Sequence, residues 1–200
     1  MKIEGLTCQL RKKRYRSYKG LVGKTAPNLL NRDFKATQPN QKWATDVTEF
    51  KVFGKRFYLS PILDLFNGEV VSYSLTGSPS FAGTIEMLKK AFQRLPEKVE
   101  LILHSDQGWQ YQMRPYQKLL VERGIQQSMS RKGNCYDNAV IENFFGLLKS
   151  EFFDNNTFQT VCEFQKELTK YLDYYNNDRI KVKLKGLSPV AYRTQSLCVT

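Results

Sequence analysis

The chain has 200 residues, 41% of them hydrophobic, and a formal net charge of +12 at pH 7. That length suits one good-sized domain with extensions, and the lack of an apolar run long enough for a bilayer, or of a signal-peptide pattern at the start, argues against membrane and secreted classes. Cysteines 8, 135, 162 and 198 form no Cys-x-x-Cys pair and His104 is the only histidine, so a Cys/His zinc site is excluded and the cysteines read as reduced and packed.

Residues 1–42 hold 11 Lys/Arg against 2 acids, with the run Arg11-Lys12-Lys13-Arg14-Tyr15-Arg16 and breakers at Ala26-Pro27-Asn28 and Gln38-Pro39-Asn40. This segment reads as an extended basic arm. Trp43 to Phe50, short, aromatic and β-branched, predicts a strand. Arg56 to Phe66 predicts a second, in which Pro61 argues for a bulge or an edge. Asn67-Gly68 signals a tight hairpin turn, and Glu69 to Thr76 the returning strand. Ser80 to Leu95 is a helix, with Ile85, Leu88, Ala91, Phe92 and Leu95 at helical spacing. Glu100 to Leu103 is a short apolar strand ending at His104-Ser105-Asp106. Pro115 to Arg123 is a helix opened by proline and stopped by Gly124, and Ile125 to Met129 supplies a fifth strand. Beyond the polar, basic loop Ser130 to Asn134, a long helix is expected from about Ala139 to Phe152, capped by Asp137 or Asn138, and a last one from Val161 to Tyr175. The tail from Asn176 is broken by Gly186 and Pro189.

Residues 176–200 hold 5 Lys/Arg against 1 acid, whereas 43–175 hold 15 against 16. The positive charge therefore lies in the two ends, which suits a polyanion, most simply nucleic acid; a soluble protein with charged tails is the alternative. Three strands, then helix, strand, helix, strand, helix is a mixed α/β order. It fits an RNase H-like arrangement without proving one.

Three acids stand out by position. Asp46 lies amid Trp43, Val47 and Phe50, Asp106 just past the Leu101-Ile102-Leu103 strand, and Glu142 on the first turn of the long helix. A carboxylate within an apolar strand is costly unless compensated, and a divalent cation compensates several at once, Mg²⁺ taking few carboxylates while keeping waters and substrate phosphates. Asp106 also stands where open α/β sheets place ligands. In the long helix Ile141, Phe144, Phe145, Leu148 and Phe152 form one apolar stripe. Glu142 borders it, and Lys149 lies two turns on, on the same face. Asp64, Asp137 and Glu151 are rivals, Asp137 as a simple cap. His104 reads as a hydrogen-bonding partner near Asp106. Trp109 and Tyr111 suit base stacking or core packing alike, Arg131 and Lys132 suit phosphate contact or a solvated loop, and Tyr171, Tyr174 and Tyr175 read as core.

Trp43-Ala44-Thr45-Asp46-Val47-Thr48, His104-Ser105-Asp106-Gln107-Gly108-Trp109-Gln110-Tyr111 and Asp137-Asn138-Ala139-Val140-Ile141-Glu142-Asn143-Phe144-Phe145-Gly146-Leu147-Leu148-Lys149-Ser150-Glu151 resemble the catalytic motifs of bacterial insertion-sequence DDE transposases with a retroviral-integrase-like core. The 35 residues between Asp106 and Glu142 match the spacing known for that motif. Tyr175-Asn176-Asn177-Asp178-Arg179 and Ser188-Pro189-Val190-Ala191-Tyr192-Arg193 resemble the family's carboxy-terminal signature. The resemblance, over about Lys12 to Arg193, implies an RNase H-like α/β core with a mixed five-stranded sheet and flanking helices. It implies an arm at 1–42, the remnant of an upstream DNA-binding region, a core at 43–176 and a basic tail at 177–200. Asp46, Asp106 and Glu142 would be catalytic and hold Mg²⁺ or Mn²⁺, two ions with DNA bound. The reaction implied is cleavage at transposon ends and joining of the 3′-OH to a target strand. Lys149, Arg131, Lys132, Trp109 and Arg179 are the expected DNA contacts, and a homo-oligomer on DNA in the bacterial cytoplasm, at the nucleoid, is the expected setting. An RNase H-like nuclease and a truncated, non-catalytic DNA-binding relic are the competing readings.

Overall fold

The computed structural model describes residues 23–96 and 99–197. One mixed sheet organises them: β1 (Lys42–Thr45), β2 (Thr48–Val52), β3 (Lys55–Asp64), β4 (Val70–Thr76), β5 (Ile102–Ser105) and β6 (Gln126–Met129). β3 pairs antiparallel with β4 on one side, and on the other with β2 and β1 laid end to end. β1 then pairs in parallel with β5, and β5 with β6. The five expected strands are thus six segments, because the first is interrupted at Asp46-Val47. The Asp46 carboxylate turns back to accept the Val47 amide at 2.7 Å, a local bond that competes with the sheet ladder.

The flanking helices are α1 (Phe81–Phe92), α2 (Arg114–Glu122), α3 (Ala139–Leu148), α4 (Val161–Asn177) and α5 (Pro189–Leu197). Successive strand residues face opposite ways, so the sheet feeds two cores. Ala44, Leu59 and Leu63 join Phe144, Leu148, Phe164 and Leu168 of α3 and α4 on one face. Trp43, Ile62 and Leu103 join Met87, Leu88 and Leu120 of α1 and α2 on the other. The apolar stripe expected from Ile141 to Phe152 is buried throughout, although α3 itself stops at Leu148 and a π-helical turn continues it over Lys149–Phe153.

Several local expectations are corrected. The irregularity expected at Pro61 falls beside it, at Ile62/Leu63, and Pro61 itself pairs with Tyr73 of β4 but stands in the gap between the β2 pairing, which ends at Leu59, and the β1 pairing, which begins at Ile62. The β3–β4 connection is longer than a two-residue turn: Gly68, at φ +71°, donates to the Asp64 carbonyl and Asp64 to that of Glu69. Ser80 caps α1 by accepting the Gly83 amide. Neither Asp137 nor Asn138 caps α3 through its side chain, because both side chains are engaged elsewhere. Cys162, expected to be packed, is free and exposed.

The segment before β1 has no helix or strand over 23–41, yet it is anchored. The Pro27 carbonyl accepts the Met129 amide, the Leu29 amide donates to Ser128 Oγ, and Leu30 is buried. It thereby covers β6, which would otherwise be an open sheet edge. The charged run at 11–16 lies outside the described residues. At the other end, Pro189 occupies the permitted first position of a helix. In place of a broken tail, α5 docks on the β3–β4 turn through Arg193, the Tyr192–Phe66 ring pair at 5.3 Å and an Asn67-to-Pro189 hydrogen bond of 2.8 Å.

Candidate active site

Parallel pairing of β1 with β5 sets Thr45 beside Ser105. Asp46 and Asp106 are the next residue of each strand, so both carboxylates issue from the same end of adjacent parallel strands, whose backbones lie about 4.8 Å apart. Each is partly buried. Asp46 Oδ1 accepts the Val47 amide and Oδ2 accepts Asn138 Nδ2 at 3.0 Å. Asp106 Oδ1 accepts the Gly108 amide at 2.8 Å. A Cβ on Gly108 would stand 2.9 Å from that oxygen and 2.7 Å from Gln110 Nε2, so the close approach requires glycine. Glu142 is exposed on the first turn of α3.

The electrostatics follow from this crowding. Burial, then the neighbouring Asp106 carboxylate, push Asp46 up to about 7, and Glu142 adds to the rise. Burial raises Asp106 as well. Beneath them Tyr111 is fully buried 3.5 Å from Thr45 Oγ1. Its phenol is held far above its ordinary range by burial and by both carboxylates, so it stays neutral. Among the described residues no three His, Cys, Asp or Glu side chains are gathered closely enough to hold an ion by themselves. The donor set still suits a hard cation: all oxygen, poorly solvated, mutually repelling, and with Asp106 Oδ2 accepting no hydrogen bond from the described residues.

The rivals fall into structural roles. Asp64 is buried against Arg193, Asn40 and Phe66, and Glu151 accepts from Arg179 and Tyr171. Asp137 is buried beneath Arg131, Arg32 and Asn28. His104 faces Ser128, Ser130 and the Asp137 carbonyl, and burial lowers its basicity. The expected DNA contacts divide as well. Lys132 is exposed, Trp109 is 36% exposed beside Phe81, and Lys149 is partly buried, with no carboxylate in salt-bridge range of either lysine among the described residues. Arg131 and Arg179, by contrast, are committed to Asp137 and Glu151. Of the core tyrosines, Tyr171 and Tyr175 are buried and Tyr174 is 48% exposed.

Sequence reasoning missed the Asn138–Asp46 bond. Its only signal was an Asn placed one residue before the long helix, which reads equally well as a cap.

Two family models, each described as an Integrase core domain, match residues 36–135 and residues 142–197 respectively. The InsK protein of insertion sequence element IS150 from Escherichia coli K12 is 58% identical over 191 residues, 96% of this chain and 68% of that protein. The transposase for insertion sequence element IS904 of Lactococcus lactis is 36% identical over 192 residues, 94% of this chain and 76% of that one. Among solved structures, the HTLV-2 integrase catalytic core domain in complex with magnesium superposes with a TM-score of 0.60 at 20% identity, over 78% of this chain and 98% of that one. The fold is therefore the RNase H-like core of the integrase class. The chain belongs to the integrase-core family of bacterial insertion-sequence transposases.

Proposed function

We propose that Asp46, Asp106 and Glu142 are the acidic triad of a DDE polynucleotidyl transferase that cleaves transposon ends and joins the 3′-OH to a target strand. The observation that carries this reading is the pair of desolvated carboxylates on adjacent parallel strands, with Asn138 bonded to one of them. The three acids would hold Mg²⁺ or Mn²⁺, two ions once DNA phosphates complete the ligand set. Bound there, such ions would supply Lewis-acid chemistry, lowering the pKa of the attacking water or hydroxyl and steadying the leaving oxygen. Asn138 fixes the plane of the Asp46 carboxylate, and neutral Tyr111 closes the floor of the site. Lys149, Lys132 and Trp109 line the DNA path, and the chain acts as a homo-oligomer on DNA in the bacterial cytoplasm. No helix among the described residues is long and apolar enough to cross a membrane.

Incubating the chain with a labelled duplex, with and without Mg²⁺, tests this directly. Joined products should form only with the ion. Nicking without joining would indicate a nuclease, and no reaction a DNA-binding relic. Affinity measured against salt tests the path. Residues 1–22 contain seven Lys/Arg and one Glu, so deleting them should lower the salt slope by several units, and Lys149→Ala should lower it by about 1. An unchanged slope would remove the corresponding element from the DNA path.

A further inference from the structure

Asp137 stands outside the triad, yet its side chain is fully buried. Its carboxylate accepts Asn28 Nδ2 and Arg32 Nε, each at 3.0 Å, from the segment entering the core. It also accepts Arg131 Nε at 2.9 Å, Nη2 at 3.1 Å and the Arg131 amide at 3.1 Å. These donors, Arg131 foremost, hold the carboxyl well below the usual carboxylate range. The Asp137 carbonyl lies 2.9 Å from His104 Nε2 on β5. A carbonyl can only accept, so Nε2 carries the proton and Nδ1 accepts from Ser128 Oγ at 2.7 Å. Ser128 Oγ in turn accepts the Leu29 amide at 2.9 Å, so the entering segment reaches Asp137 by a second route.

The next residue, Asn138, donates to Asp46, and Glu142 lies one turn further along α3. No side-chain cap fixes the start of that helix. Buried Ile141 seats its first turn on the core, and the grip on Asp137 fixes the residue just ahead of it. A carboxylate that merely solubilised a turn would lie in water; this one is desolvated and satisfied by three side chains from two separate stretches of chain, an arrangement stable only while all of them are present.

We propose that Asp137 is a positioning residue: a latch through which the entering segment, by way of Asn28 and Arg32, sets the placement of Asn138 and Glu142 against Asp46. This rests on the triad reading above. The arm is then part of the site's machinery, and displacing it loosens the first turn of α3.

The test uses the full chain with Asn28→Ala, Arg32→Met and Arg32→Lys. Joining rate at saturating DNA, DNA affinity, the Mg²⁺ concentration for half-maximal joining, and hydrogen exchange are each measured. Asn28→Ala removes no charge, so its effect cannot come from lost counterion release, and the affinity measurement detects any lost neutral contact to phosphate. Both disrupting variants should slow joining roughly tenfold or more and raise the Mg²⁺ midpoint several-fold, with DNA affinity changed by less than about twofold. Exchange should rise over 137–144 and not over α1, and Arg32→Lys should recover part of the rate. A role confined to stability would lower the melting temperature and leave the Mg²⁺ midpoint where it was. Unchanged joining in both disrupting variants, or exchange raised evenly across the chain, overturns the latch. If the unaltered chain joins no DNA, the triad reading fails instead, and exchange alone then decides whether the arm holds α3.

Discussion

Asp46→Asn should abolish nicking and joining and, in the absence of a divalent ion, make the protein more stable. Loss of activity by at least roughly a thousandfold is expected, since the amide neither carries charge to the ion nor tolerates the same coordination; Asp106→Asn should behave alike. The stability gain follows from the crowding at the site. Asp46 is pushed from an ordinary value of 3.8 to about 7, so between those values the folded chain binds a proton that the unfolded chain releases. Stability of the ion-free protein therefore falls as pH rises from about 4 to 7, and the full penalty is present above that. The asparagine variant has no such proton to lose at residue 46 and should unfold with a weaker pH dependence, what remains at the site coming from buried Asp106. Denaturant titrations in chelator between pH 4 and 8 would show the two curves diverging upward in pH. Full joining by the variant would end the triad assignment, and parallel stability curves would end the electrostatic account of it.

Arg193→Met should produce the largest loss of stability of any surface-facing substitution in the tail. Its guanidinium lies 2.7 Å from Asp64 and 2.9 Å from Glu69, whose side chains are 0% and 1% exposed. Removing one member of a buried ionic cluster costs about 3–5 kcal/mol, because the remaining charges stay desolvated, which for a chain of this size is a melting temperature lower by roughly 6–20 °C. Arg94 still holds Glu69, and the Asn40 and Phe66 amides still hold Asp64, so the fold should survive. Burial already raises Asp64 even with Arg193 in place. In the variant that rise grows, so the deficit should shrink as the medium is acidified and the carboxylate takes up its proton. A loss below about 1 kcal/mol would show that α5 is not clamped by this cluster.

What could be read in the amino-acid order was whatever has a period or a sharp spacing. The 3.6-residue stripe from Ile141 to Phe152 reported the core it enters faithfully, and the spacing from Asp106 to Glu142 pointed to residues that the fold brings to one end of the sheet. What stayed hidden were contacts between distant residues that follow no period. Nothing near Arg193 announces Asp64, which is 129 positions away, and nothing near Asn28 announces Asp137. Arg179, just past α4, read as a DNA contact in a basic tail for the same reason: its partner, Glu151, sits in the π-helical turn that follows α3. The break at Asp46 escaped because a residue whose side chain bonds its own backbone looks, in one dimension, like any polar residue in a strand.

The parallel pairing of β1 with β5 also has a kinetic meaning. It joins residues about sixty positions apart, Lys42 with Ile102 through Thr45 with Ser105, whereas the β2–β3–β4 meander is built from near neighbours. Local pairings close early and distant ones late, and we expect the repelling carboxylates to meet after the rate-limiting barrier, which φ-values at β1 and β5 near zero would show. The strain of the site is then absent from the folding transition state. Relieving it, as in Asp46→Asn, should slow unfolding and leave the folding rate nearly untouched. On that expectation the repulsion acts as a built-in accelerator of unfolding, and a bound cation would act as the brake.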